Sequence, residues 1–416
     1  MVVSRRFLPC RCQSRKLDFL ARPGSARLVA LKTLATSTDP RFATRERQPG
    51  LDLLRALAIV LVVFYHAGIF GFVLPHKIQR FGWIGVDLFF VLSGYLIAGP
   101  LLASFARGRS PSLRRFFWRR ALRILPAYLV ILVAYWSAPA MREYLEMPSL
   151  WKFLSFTQNI GLRGGTAFSH AWSLCVEGQF YLVLPFLLLA VMRWKRVAMM
   201  LPCVVIAGGF ILRAAVAVAV ARDGVVPFRD FQQLIYYPTW TRLDPLTLGV
   251  SLAAIEQFRP GWWSWLTKSA TWLWAPALAS IILGLSLGEG DLTLALCMWQ
   301  FPLIAFGMAA LLVCAISARL PFNRVAFPGT AFVASTAYSV YLSHKLTIHF
   351  VAKGCAARAL PLDSGLAISA VLATIGVVGA LLFFLVERPF LQLRHRSAPA
   401  RRKTPGLSLI RGRSRP

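Results

Sequence analysis

The chain is 416 residues long and 57% hydrophobic, with a mean hydropathy of +0.60, a balance that excludes an ordinary soluble globular domain. Its formal net charge of +31 would suit nucleic acid in a soluble protein, but the basic residues fall mainly at the two ends and in alternate loops. Membrane topology explains that pattern by itself, so nucleic acid is not an expected partner.

Residues 1–48 carry many arginines, few acids and no long apolar run. They read as a solvated cytoplasmic tail, an organellar transit peptide or a misassigned start, and no secretory signal peptide is expected. Residues 49–392 read as one membrane domain, and the Arg/Ser/Pro-rich stretch 393–416 as a disordered basic tail. Of the seven cysteines, Cys175, Cys203, Cys297 and Cys314 sit inside apolar runs, and Cys10-x-Cys12 lacks the second pair a zinc site needs. Neither a metal nor a disulfide framework is expected.

Apolar windows of about 20 residues fall near 51–72, 83–104, 124–140, 171–192, 198–220, 235–256, 269–287, 292–316, 330–352 and 364–386. The expected fold is therefore all-α: a polytopic membrane helix bundle of about ten transmembrane helices. Loops 105–123, 193–196, 257–268 and 317–329 share the Lys/Arg excess of the two ends, whereas 73–82, 141–170, 221–234, the acidic Gly288–Asp291 and 353–363 do not. That asymmetry puts both termini in the cytoplasm.

Ionisable residues inside such windows cost at least about 2.5 kcal/mol at mid-bilayer, which makes each a functional candidate. The first window, Leu51–Phe70, carries Asp52, Arg55 and His66. Arg55 and His66 are eleven positions apart, within about 20° of one face and about 16 Å apart along the axis. Asp87 lies in the second window, where it can orient His66, hold a substrate hydroxyl or simply start a helix; Gly94 allows close helix approach. Ser173, Glu177 and Tyr181 recur every fourth residue as one polar ridge. The sixth window is interrupted by Arg242, Asp244 and Pro245. Tyr338, Tyr341 and His344 follow i, i+3 spacing, next to Lys345, and Glu387-Arg388-Pro389 reads as a helix terminator. The stretch Arg114–Arg123 interleaves arginines, among them Arg119, Arg120 and Arg123, with Phe116, Phe117 and Trp118. It can bind the phosphates of a nucleotide-bearing donor or hold anionic lipid. Loop 141–170 either covers a cavity or only connects.

In order along the chain, Arg55-x10-His66, GWIGVDLFFVLSGYLI, Arg120-x-x-Arg123 with Pro126, WSLCVEGQFYLVLP, YSVYLSH and VERPF resemble the acyltransferase-3 family of bacterial membrane acyltransferases. The resemblance covers about residues 51–390 and implies a ten-helix core, an acyl-coenzyme A donor on the cytoplasmic side and an acceptor hydroxyl of a surface carbohydrate on the outer side. It implies a catalytic His66, an essential Arg55, and donor contacts from Arg120 and Arg123. Gly178 departs from the polar residue that often follows the glutamate. The chain stops soon after the last window, so acceptor handling is expected to rest on the membrane core or on a separate extracytoplasmic protein.

The expected chemistry is O-acylation in a bacterial inner membrane. Acyl-CoA, acetyl-CoA in the first instance, gives its acyl group to a carbohydrate or glycolipid hydroxyl. His66 serves as general base or transient acyl carrier, and Asp87 or Glu177 orients its ring. Ser173, Tyr181, Arg242, Asp244, Tyr338, Tyr341 and His344 are the candidate substrate contacts. The alternative is a transporter moving a sugar, lipid or organic acid through the same polar cavity. A non-catalytic scaffold leaves the buried charges unexplained.

Overall fold

A computed structural model describes residues 48–396 of the protein. The basic stretch through Arg47, with Cys10-x-Cys12, and the tail from Ser397 onward lie outside the described residues. Twelve helices organise the fold: α1 (Pro49–Ile69), α2 (Gly85–Ala106), α3 (Leu113–Ser137), α4 (Trp172–Val191), α5 (Lys195–Val220), α6 (Asp244–Phe258), α7 (Pro260–Lys268), α8 (Ala270–Ser286), α9 (Leu294–Ile316), α10 (Thr330–Ala356), α11 (Gly365–Leu382) and α12 (Arg388–Arg396). Among the described residues there is no β-sheet, only two isolated bridges.

Local chemistry sets many of the ends. Pro49 and Pro245 sit in the first turns of α1 and α6, where a missing N–H costs nothing. Ser112, Thr293 and Ser364 cap α3, α9 and α11 by accepting the N–H three residues on.

Every apolar window falls on a helical segment, but six helices are long and apolar enough to cross a membrane, or seven if α7 and α8, bent by 78°, make one span. The three remaining helices fall short for identifiable reasons. The first half of α3 carries Arg114, Arg115, Arg119, Arg120 and Arg123; α6 is only 15 residues long; and the middle of α10 is polar. Length and composition thus support six or seven crossings where the windows suggested about ten.

Helix α2 is the centre of the body, with Leu88, Val91, Leu92 and Ala98 all buried. It meets α6 with almost no space between backbones. A Cβ on Gly94 would collide with the Leu246 carbonyl, and one on Gly249 with the Val91 carbonyl. Paired small residues let two membrane helices approach this closely. Helix α5 shows the opposite environment: Val204, Ile211 and Val218 are exposed on an apolar face suited to lipid, while Arg213 is fully buried on the other.

Two local outcomes refine the sequence reading. The sixth window is broken as its prolines suggest: a π-turn at Phe231–Tyr236 and a 3-10 turn at Thr239–Thr241 precede α6. The expected terminator at Glu387 is instead a π-turn, Phe383–Glu387, that leads into α12, because Pro389 occupies a first-turn position where it is tolerated. That turn directs Glu387 inward to accept a hydrogen bond from Ser339 Oγ at 2.7 Å.

Gly94→Val is expected to destabilise the protein by about 1–3 kcal/mol through overpacking at the α2–α6 crossing. Thermal unfolding of the purified protein in detergent reads this as a lowered melting temperature; an unchanged one contradicts the close crossing.

Candidate active site

Three histidines from separate parts of the chain meet at one place. Ring centroids lie 4.8 Å apart for His66 (α1) and His344 (α10), 4.9 Å for His170 and His344, and 6.3 Å for His66 and His170. His66 Nδ1 is 2.9 Å from the Val62 carbonyl and 3.2 Å from His344 Nε2. A carbonyl oxygen only accepts, so Val62 places the hydrogen of His66 on Nδ1 and leaves the lone pair on Nε2.

His170 was read only as part of a long loop, and its arrival here depends on how that loop folds. Phe168 adopts a left-handed backbone with φ of 55°. Its ring stacks on Tyr135 at 4.6 Å and on Phe153 at 5.5 Å, which holds the strained turn in place. Lys345 then ties the turn to α10: its Nζ is 3.0 Å from Glu143 Oε1 and donates to Ser169 Oγ at 2.9 Å. Glu143 Oε1 also accepts the Phe168 N–H at 3.1 Å. Loop 141–170 is therefore a packed strap that carries His170 inward. The local signal for it was the Ser169-His170 pair just ahead of Trp172.

Below the histidines lies a cavity of about 340 Å³. Arg55, Arg120, Arg123 and Glu177 contribute its charged lining, and Ser93, Ser173, Tyr181, Tyr338 and Tyr341 its hydroxyls. The Ser173–Glu177–Tyr181 ridge faces this space, with Ser93 and Tyr181 both donating to Glu177. Arg120 lies 5.9 Å above the Tyr181 ring, and its Nε is buried without a hydrogen-bond partner. Arg55 also pairs with Asp52 at 3.1 Å. Tyr338 donates to the Ile124 carbonyl at 2.8 Å and so fixes α10 against α3. Arg119 is exposed on α3 and is not part of the lining.

Tyr341 joins cavity and histidines. It lines the cavity, donates to the His170 carbonyl at 2.7 Å and lies 2.6 Å from Ser173 Oγ. His66 itself is not in the cavity lining; it meets His344, whose ring in turn lies 5.7 Å from that of Tyr341.

The carboxylate expected to orient His66 is committed elsewhere. Asp87 pairs with Arg242 at 2.9 Å, both fully buried, and Asp244 pairs with Arg213 at 2.6 Å. The Arg242 guanidinium also sits 4.0 Å from the Phe301 ring centre and 4.9 Å from that of Tyr236. Arg242 and Asp244 thus form a neutral double ion pair that fastens α2, α5 and α6, outside the cavity lining. Glu177 likewise has its hydrogen bonds in the cavity, with Ser93 and Tyr181. Among the described residues no group of three or more His, Cys, Asp or Glu could hold a metal ion.

A family model described as an acyltransferase domain matches residues 48–386. The chain is 33% identical over 232 residues to peptidoglycan O-acetyltransferase OatA of Listeria monocytogenes, covering 52% of this chain and 35% of that protein. It is 34% identical over 225 residues to YrhL of Bacillus subtilis, provisionally titled a peptidoglycan O-acetyltransferase, covering 50% of this chain and 33% of that protein. The chain spans about a third of the length of these curated relatives. No solved structure matches it.

Lys345→Met leaves the buried Glu143 carboxylate unpaired and is expected to destabilise the protein by about 3–5 kcal/mol. Glu143→Gln combined with Lys345→Met removes both charges, keeps an acceptor for the Phe168 N–H, and should recover most of that loss. Melting temperatures of the single and double variants check this; equal loss in both contradicts the ion-pair account of the strap.

Proposed function

The chain belongs to the acyltransferase domain family, and on that premise we propose that it moves an acyl group, acetyl in the first instance, from acyl-coenzyme A to a hydroxyl of a cell-surface carbohydrate or glycolipid. The observation that carries the reading is His66: its Nδ1–H is held by the Val62 carbonyl, which leaves Nε2 free as a base, and His66 is linked through His344 to Tyr341, which lines the charged cavity. A sugar hydroxyl is a weak nucleophile at neutral pH and needs such a base within hydrogen-bond reach. The names of the relatives support a glycan hydroxyl as the acceptor.

In direct transfer, the acceptor hydroxyl gives its proton to His66 Nε2 while its oxygen attacks the thioester carbonyl carbon. The tetrahedral oxyanion collapses, the C–S bond breaks, and the departing thiolate takes the proton back from His66. In the two-step variant Nε2 attacks the thioester carbonyl and displaces the coenzyme A thiolate, and the acceptor hydroxyl then takes the acyl group from Nε2 while its proton goes to that thiolate. Either way the imidazole ends as it began.

The donor's phosphates fit the arginine end of the cavity. Arg120 and Arg123 lie one turn apart on α3, and Arg55 faces them from α1. The unpartnered Nε of Arg120 is a buried donor with spare capacity for a phosphate oxygen. Arg119, exposed on α3, suits anionic lipid headgroups instead. Phe89 and Tyr341 both line the cavity with ring centroids 6.3 Å apart, and Tyr341 contacts His344 beside His66, so the flexible arm of the donor is expected to reach His66 past Tyr341. The charge asymmetry of the loops supports a cytoplasmic donor end and, with an even number of crossings, both termini on that side. The bacterial relatives support residence in a bacterial cytoplasmic (inner) membrane.

His66→Ala is expected to lower transfer of label from [14C]acetyl-coenzyme A to glycan by at least about 10²-fold, with unchanged protein abundance in the membrane. Arg120→Ala and Arg123→Ala should each raise the KM for acetyl-coenzyme A by about 10- to 100-fold. Normal transfer by the His66 variant contradicts the mechanism, and solute uptake into vesicles without acyl donor or label transfer supports a transporter instead.

A further inference from the structure

The protein holds the hydrogen of His66 with a second imidazole where a carboxylate would be expected. We propose that His344 is the positioning residue for His66, acting as the neutral acceptor that orients its ring and shares its proton during turnover. The inference rests on the reading of His66 as the base or acyl carrier.

Hydrogen-bond chemistry decides the direction of the contact. His344 Nδ1 lies 2.7 Å from the Tyr341 carbonyl, which can only accept, so the hydrogen of His344 is on Nδ1 and its Nε2 carries a lone pair. That Nε2 is 3.2 Å from His66 Nδ1, whose hydrogen is already assigned by Val62. His66 therefore donates to both the Val62 carbonyl and His344 Nε2.

The remaining members hold His344 in this attitude. His170 Nε2 is 3.2 Å from the Leu342 carbonyl, and Tyr341 donates back to the His170 carbonyl at 2.7 Å. The backbone at Tyr341–Leu342 is thus pinned from both sides, and His344 is fully buried on it. The carboxylates expected near this place are engaged elsewhere: Asp87 and Glu143 are bound to Arg242 and Lys345, and Glu177 to Ser93 and Tyr181.

The chemical consequence is a proton shared between two like groups. When His66 Nε2 takes the acceptor hydroxyl's proton, the cation on His66 points its Nδ1–H at a neutral imidazole. In a serine hydrolase triad the corresponding partner is an aspartate, which stabilises the imidazolium by its charge. Here a neutral acceptor orients the ring without adding a buried negative charge, which suits an apolar helix bundle.

The test compares His344→Gln, whose side-chain oxygen can reach the Nε2 position, with His344→Met, similar in size but without that acceptor. With acetyl-coenzyme A as the varied substrate, His344→Met should lower kcat by about 10²- to 10⁴-fold, leaving KM within about threefold. His344→Gln should keep kcat within about tenfold of the parent. A Met variant at half the parental kcat or more, or Gln and Met variants equally impaired, overturns the assignment. The unsubstituted protein provides a check that does not depend on variant folding: 15N spectra of histidine-labelled enzyme should show His66 protonated at Nδ1 and bare at Nε2. The reverse tautomer overturns the proposal while leaving acyl transfer itself standing. Full turnover in His66→Ala removes that reading and this inference with it.

Discussion

The 3.2 Å contact between His66 and His344 is the point on which the structure turns. The half-buried imidazole of His66 is best served by committing its N–H, because a donor left unmet away from solvent costs free energy. Committing Nδ1 to a carbonyl and a second ring leaves one defined lone pair on the other edge. The requirement that stabilises this ring also leaves it able to act as the proposed base. Helices α1 and α10 are joined by that requirement, and the strap carrying His170 closes over them.

The same rule sorts the remaining charges. Asp87 with Arg242, and Asp244 with Arg213, cancel one another deep in the bundle and fasten three helices. Lys345 with Glu143 does the same at the strap. What is left for the cavity is a surplus of cations: Arg55, Arg120 and Arg123, against Glu177 in the lining and Asp52, which pairs with Arg55. Such a surplus is costly without an anionic occupant, and the phosphate-bearing donor proposed above would supply one. Tyr341 is the hinge of this division, since one side of it faces the cavity and the other the histidines.

Periodicity made much of this legible. The four-residue ridge Ser173–Glu177–Tyr181 faces the cavity together, Tyr341 and His344 share one stretch of α10, and Gly94 marks a close crossing. The break around Arg242 and Pro245 was also visible, since a proline inside an apolar window must interrupt its ladder. The partners of the charges were not visible. Spacing along one helix says which residues share a face, but nothing about which distant residue meets them. Asp87 went to Arg242, 155 positions away, and not to His66. Arg213 looked like part of an apolar helix, and His170 lay in a loop with no period to give it a direction. Glu387 turned inward because a π-turn shifted its register by one residue, which no hydrophobic pattern announces.

A structure of the protein with a non-transferable acetyl-coenzyme A analogue tests the central claim most directly. The account predicts phosphates against Arg120 and Arg123, and the acyl carbonyl carbon facing His66 Nε2 with room for one hydroxyl oxygen between them. A donor seated away from these arginines, or a His66 ring turned toward the lipid with its contact to His344 broken, would contradict it.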